Sequence, residues 1–154
     1  MSKHDAIPWF EPSLDEADSE AVRQQVASGF VNEGPANRKF EAMVAAYFGV
    51  PYAVTAPNCT VALALSLMAT GIAAGDKVLV PDVTFIGTAS AVRLAGAEPI
   101  LVDVNPNTFT MDPDDARRRC SGDTRAILPV HLNGRAADIV SLRQLAAQRD
   151  LVII

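Results

Sequence analysis

Two periodicities alternate along this 154-residue chain. The first is helical: Phe40, Met43, Val44, Tyr47 and Phe48 recur at i, i+3, i+4, i+7 and i+8, an apolar stripe on a helix that Gly49 closes. That spacing predicts a face turned to a core. Upstream, Ser13 and Glu16 read as a capping box opening a helix over 13–28, with Gly29 as its stop. The second periodicity is a series of short apolar runs at 52–56, 77–81, 98–103, 125–130 and 151–154, which predict strands. Val78-Leu79-Val80 and Ile127-Leu128-Pro129-Val130 are apolar throughout, so both faces of those strands should be covered. Helices are expected between the strands, at 60–70, 86–95, 113–120 and 139–149. Asp112 caps the third, with Pro113 in its first turn, and Asp138 caps the fourth.

Strands and helices alternating through short loops predict right-handed crossovers and a doubly wound parallel sheet, a three-layer α/β/α fold. Residues 1–50 read as a helical segment with a loop at 29–35, and 51–154 as the α/β part. A Pro-bounded, irregular lead-in precedes the first helix at 7–12. The run at 151–154 reads as a buried strand, and the chain stops inside it. It is therefore expected to be the N-terminal part of a longer protein.

Composition is ordinary for a globular chain, 49% hydrophobic and 20% charged, with a net charge of −5. That balance argues against a nucleic-acid or anionic-membrane surface. The one basic run, Arg117-Arg118-Arg119, is flanked by acids and is expected to be a solvated helix face. Cys59 and Cys120 lie far apart and offer neither a disulfide framework nor metal spacing, which fits a reducing, cytoplasmic setting. No apolar leader follows Met1 and no apolar run approaches about 20 residues, so neither a signal peptide nor a membrane span is expected.

Candidate chemistry begins where the run at 52–56 meets the helix at 60–70. Pro57 and Asn58 break the strand, so helix N–H groups and the positive end of its dipole point at one spot. A phosphate suits that geometry, with Thr60 adding a hydroxyl. The alternative is a plain capped helix, Asn58 or Thr60 serving the backbone. In a parallel sheet the carboxyl ends of the strands fall together, bringing residues 81–87, 103–107 and 131–135 near that junction. Phe85 there suits stacking on a flat ring, or else packs under a loop. His131 suits an acid–base or ligand-polarising role, or else is a hydrogen-bonded structural residue. Asp103 reads as a turn or cap residue, and Asn105-Pro106-Asn107 as a turn.

Here the residues carry a resemblance. Gly34-Pro35, Phe40-Glu41, Tyr47-Phe48-Gly49-Val50, Asn58-Cys59-Thr60-Val61-Ala62-Leu63, Val80-Pro81-Asp82-Val83-Thr84-Phe85-Ile86 and Pro129-Val130-His131-Leu132-Asn133-Gly134 resemble, in order, the nucleotide-sugar aminotransferases of the DegT/StrS group. The match runs from about Ile7 to the end. It implies a homodimeric pyridoxal 5′-phosphate (PLP) enzyme of the aspartate aminotransferase fold, moving an amino group from glutamate to a nucleotide-linked keto sugar. Carried over, Asn58, Cys59 and Thr60 would hold the PLP phosphate and Phe85 would stack on its pyridine ring. Asn32, Glu33 and His131 would lie on the substrate side. The family usually has Gly at position 59, so Cys59 brings a side chain close to the phosphate.

The chemistry also needs a lysine to anchor the cofactor and an acid to pair with the ring nitrogen. In the family both come after the strand matching 151–154. Of the lysines here, Lys3 is in the N-terminal tail, Lys39 is on an amphipathic helix and Lys77 starts a strand away from the site. None suits the role, so the chain alone is expected to be inactive. Three alternatives stand beside this reading. One is a sugar dehydratase of the same fold. Another is a non-catalytic nucleotide- or phosphate-binding module, against which stands the lack of Gly-x-Gly-x-x-Gly or Walker patterns. The last is an enzyme using Cys59 as its nucleophile, for which the sequence shows no His partner.

Overall fold

The computed structural model describes residues 11–154; Lys3 and the start of the lead-in, Ile7 to Phe10, lie outside the described residues. The chain divides after Thr55 into two compact units.

The first unit carries helices α1 (Glu16–Ala27) and α2 (Pro35–Phe48). The capping box of α1 lies two residues later than expected. Asp15, not Ser13, accepts the Asp18 N–H, and the Asp18 carboxylate returns the bond to the Asp15 amide. Carboxylates at both positions outcompete a hydroxyl because they also favour the positive helix end. Gly49 closes α2 at φ 65°, a conformation glycine adopts without strain. The apolar stripe of α2 is not buried: Phe40, Met43, Tyr47 and Phe48 are all exposed. Periodicity identifies the apolar side of a helix but not what covers it. Residues 52–56, expected as a strand, pair with no other strand, and Tyr52 and Val54 are exposed. Instead, Glu41 accepts both the backbone N–H and the hydroxyl of Thr55.

The second unit is the α/β part. Its elements are α3 (Cys59–Ala69), β1 (Lys77–Pro81), α4 (Gly87–Leu94), β2 (Glu98–Val102), α5 (Pro113–Arg119), β3 (Thr124–Ile127), α6 (Ile139–Arg149) and β4 (Val152–Ile153). The strands form one parallel sheet in the order β2-β1-β3-β4. The sheet therefore grows outward in both directions from β1 and β3, which is double winding. Side chains alternate across it as period two requires. Val78, Val80 and Ala126 pack with Leu67, Ala91 and Val92 of α3 and α4 on one face. Leu79, Val102 and Ile127 pack with Ala116, Leu142 and Leu145 of α5 and α6 on the other. Each fully buried Leu or Val contributes about 1.5–3 kcal/mol, so β1, covered on both faces, anchors the unit.

Three details differ from the sequence expectation. β3 ends at Ile127, so residues 128–130 belong to the loop beyond it. β4 is shorter than the run at 151–154, comprising Val152–Ile153 alone, and Val152 is exposed. The arginine run is not simply solvated. Arg118 and Arg119 bind the buried Asp115 at 3.0 and 2.6 Å, and Arg117 donates to Gln148 at 2.9 Å. The caps at Asp112 and Asp138 form as expected, accepting from Asp114 and Ser141.

Candidate functional site

Open α/β sheets bind ligands beyond the carboxyl ends of their strands, where the winding changes direction. Here the switch lies between β1 and β3. The loops leaving those two strands line one cavity of about 620 Å³, together with the start of α3. Asn58, Cys59, Thr60, Phe85 and His131, separated by up to seventy-odd positions in sequence, all contribute to its wall.

The start of α3 divides its donors. The Asn58 side chain accepts the Val61 N–H at 3.0 Å, and the Asn58 carbonyl accepts the Ala62 N–H. Asn58 thus serves the helix, an N-cap worth about 1 kcal/mol. Among the described residues the N–H groups of Cys59 and Thr60 meet no acceptor and stand open to a ligand, at the positive end of an eleven-residue helix. Cys59 is exposed.

The Thr60 side chain and Phe85 converge on Gly87. A Cβ on Gly87 would stand 2.5 Å from the Thr60 hydroxyl and 2.8 Å from the Phe85 ring, so the missing side chain is what lets both approach. The Phe85 ring is 75% exposed, an apolar surface left uncovered beside a set of N–H donors. Behind it the hydroxyls of Thr84 and Thr88 share a hydrogen bond of 2.9 Å. Leu63, Leu128 and Ile154 supply apolar wall. Thr84, Gly87 and Thr88 were not singled out from the sequence. The i, i+4 spacing of the two threonines was the readable signal, since it places both hydroxyls on one side of a helix start.

His131 follows β3, and its Nδ1 accepts the backbone N–H of Ala137 at 2.9 Å. Asn32 and Glu33 are exposed in the turn between α1 and α2, in the other compact unit. Among the described residues there is no cluster of side chains able to hold a metal ion, and no helix is long and apolar enough to cross a membrane. Among the described residues no lysine lines the cavity.

Amide donors and a hydroxyl on one side, and an open aromatic face on the other, fit a small phosphorylated aromatic group. The fold is that of the large α/β domain of PLP-dependent transferases. The chain belongs to the DegT/DnrJ/EryC1/StrS aminotransferase family, which it matches over residues 12–154. It is 38% identical over 149 residues to GDP-perosamine synthase of Escherichia coli O157:H7, covering 96% of this chain and 41% of that protein. To the spore coat polysaccharide biosynthesis protein SpsC of Bacillus subtilis (strain 168) it is 32% identical over 148 residues, covering 96% and 38%. Among solved structures, the aminotransferase from Psychrobacter cryohalolentis superposes with a TM-score of 0.86 at 34% identity, covering 96% of this chain and 37% of that one. NtdA of Bacillus subtilis, solved with bound cofactor PMP, does so with a TM-score of 0.82 at 33% identity, covering 88% and 31%. The chain thus spans about two fifths of the length of the curated relatives it matches.

Proposed function

We propose that the cavity holds PLP for a sugar aminotransferase that passes an amino group, with glutamate as donor, to a nucleotide-linked keto sugar. One observation carries this reading: the open N–H groups of α3 and the exposed Phe85 ring meet at the switch point of the sheet. The Cys59 and Thr60 amides and the Thr60 hydroxyl would bind the phosphate, and Phe85 would cover the ring. When bound, PLP supplies the electron sink that amino transfer needs. The chain's own contribution is binding and orientation: it fixes the phosphate, holds the ring flat and walls one side from water with Leu63, Leu128 and Ile154.

The reading also requires an anchoring lysine and a ring-nitrogen acid, and it would place them in a cytoplasmic homodimer. Asn32 and Glu33 would belong to the sugar side. A dehydratase of the same fold would use the same cavity, so the phosphate and ring contacts support either chemistry. The relatives' names favour amino transfer.

Spectroscopic titration of the protein with PLP, with inorganic phosphate as competitor, tests the reading. Saturable binding that phosphate weakens is expected. Binding indifferent to phosphate, or no saturation, would remove α3 from the site.

A further inference from the structure

The loop after β3 builds a device around His131. Asn133 and Gly134 both have positive φ, 51° and 75°, and the Arg135 N–H donates to the Leu132 carbonyl at 2.9 Å. Consecutive positive φ values closed by an i to i+3 bond make the type I′ turn that Asn-Gly favours. Arg135 then ties the loop down by donating to the Asn107 carbonyl at 2.9 Å. The turn sends the chain back on itself, so the Ala137 amide reaches the His131 ring, and Ala137 is itself buried.

A backbone N–H donates only. The nitrogen that receives it, Nδ1, must carry a lone pair, so in the neutral ring the proton sits on Nε2. Among the described residues Nε2 donates to no protein atom, and His131 lines the cavity.

We propose that His131 is a positioning residue: the Asn133-Gly134 turn and the Ala137 amide lock it as an Nε2–H donor to an oxygen acceptor of the bound ligand. Such an acceptor is a phenolate or phosphate oxygen. The locked ring does not act as a base through Nδ1, because protonating that atom breaks its bond to Ala137. This deepens the proposed function, and its donor half rests on that reading. The tautomer half does not.

Two measurements separate the halves. Long-range proton–nitrogen spectra of the protein, labelled at histidine and recorded where imidazole is neutral, report the tautomer without any ligand. Nδ1 is expected in the unprotonated range and Nε2 in the protonated range. The reverse pattern, or an average of the two, overturns the lock. The donor role is tested by titrating PLP into wild type, H131Q and H131N. Gln places an amide N–H near the former Nε2, whereas Asn replaces only the acceptor that faces Ala137. H131Q should bind within about threefold of wild type, and H131N on the order of tenfold more weakly. Equal losses in a normally folded pair would make His131 a staple of its loop and overturn the donor role. Wild type that fails to bind PLP would overturn the proposed function and the donor role together, while the spectra still decide the tautomer.

Discussion

One carboxylate oxygen of Glu41 accepts two hydrogen bonds from Thr55, 2.8 Å from its backbone nitrogen and 2.9 Å from its hydroxyl. The pair ties α2 to the segment 14 residues on, which neither periodicity nor turn chemistry announced. The Thr55 amide bond, then the hydroxyl bond, lower the Glu41 pKa from its ordinary value. A depressed carboxylate stabilises the folded state above the unfolded pKa, and that contribution disappears as pH falls through the folded value. We predict that the Thr55 amide exchanges faster with solvent in Glu41→Ala than in wild type at neutral pH, and that the difference fades below about pH 4. An exchange rate unchanged by the substitution would mean the bond does not protect that amide.

Asp115 should be an acid-sensitive group of the α/β unit. It is 4% exposed and accepts from the Asp103 amide at 2.8 Å, from Arg118 and from Arg119. Burial pushes its pKa up, but the Asp103 amide and the two guanidinium groups more than reverse that, leaving it below the ordinary aspartate value. Its contribution is therefore complete above about pH 4 and lost as pH falls through the depressed value. Asp115→Ala should cost about 1–3 kcal/mol at neutral pH, leaving an unpaired Asp103 amide behind. Urea unfolding at pH 7 and pH 3 checks it: the gap between variant and wild type should shrink in acid.

Phe85→Ala should weaken PLP binding by about 1 kcal/mol, several-fold in affinity, because a 75%-exposed ring has little other packing to lose. The thermal midpoint without ligand should stay within a degree or two. Equal PLP affinities for variant and wild type would make Phe85 a loop residue only.

Cys59 is exposed at the start of α3 and lines the cavity, so an alkylating agent should reach it. Bound PLP should shield it by occupying the space in front of the helix. Peptide mapping after timed alkylation gives the rate for Cys59 alone. Matching rates with and without PLP would place the phosphate elsewhere.

Among the described residues no lysine faces the cavity: Lys77 lies at the amino end of β1, 3.3 Å from Asp123, and Lys39 belongs to α2 in the other unit. Borohydride treatment of the 154-residue chain with PLP should therefore yield no stoichiometric lysine adduct. A single full adduct at Lys3, Lys39 or Lys77, with glutamate-dependent turnover, would show that this chain carries its own anchoring amine.

The sequence by itself determined what depends on short-range chemistry. Asp112, Pro113 and Asp138 located two helix starts because caps act within one turn, and Val78-Leu79-Val80 marked a strand covered on both faces because nothing polar interrupts it. The alternation of such elements was enough for the parallel three-layer fold. The order of motifs was enough for the family. Tertiary structure decided what depends on partners distant in the chain. Whether the α2 stripe is covered and whether residues 52–56 pair both turn on neighbours that a periodicity does not name. The cavity belongs to the same class. Phe85 and Thr60 become one surface only because Gly87 lets them meet, and His131 becomes a fixed donor only because a two-residue turn folds Ala137 back onto its ring.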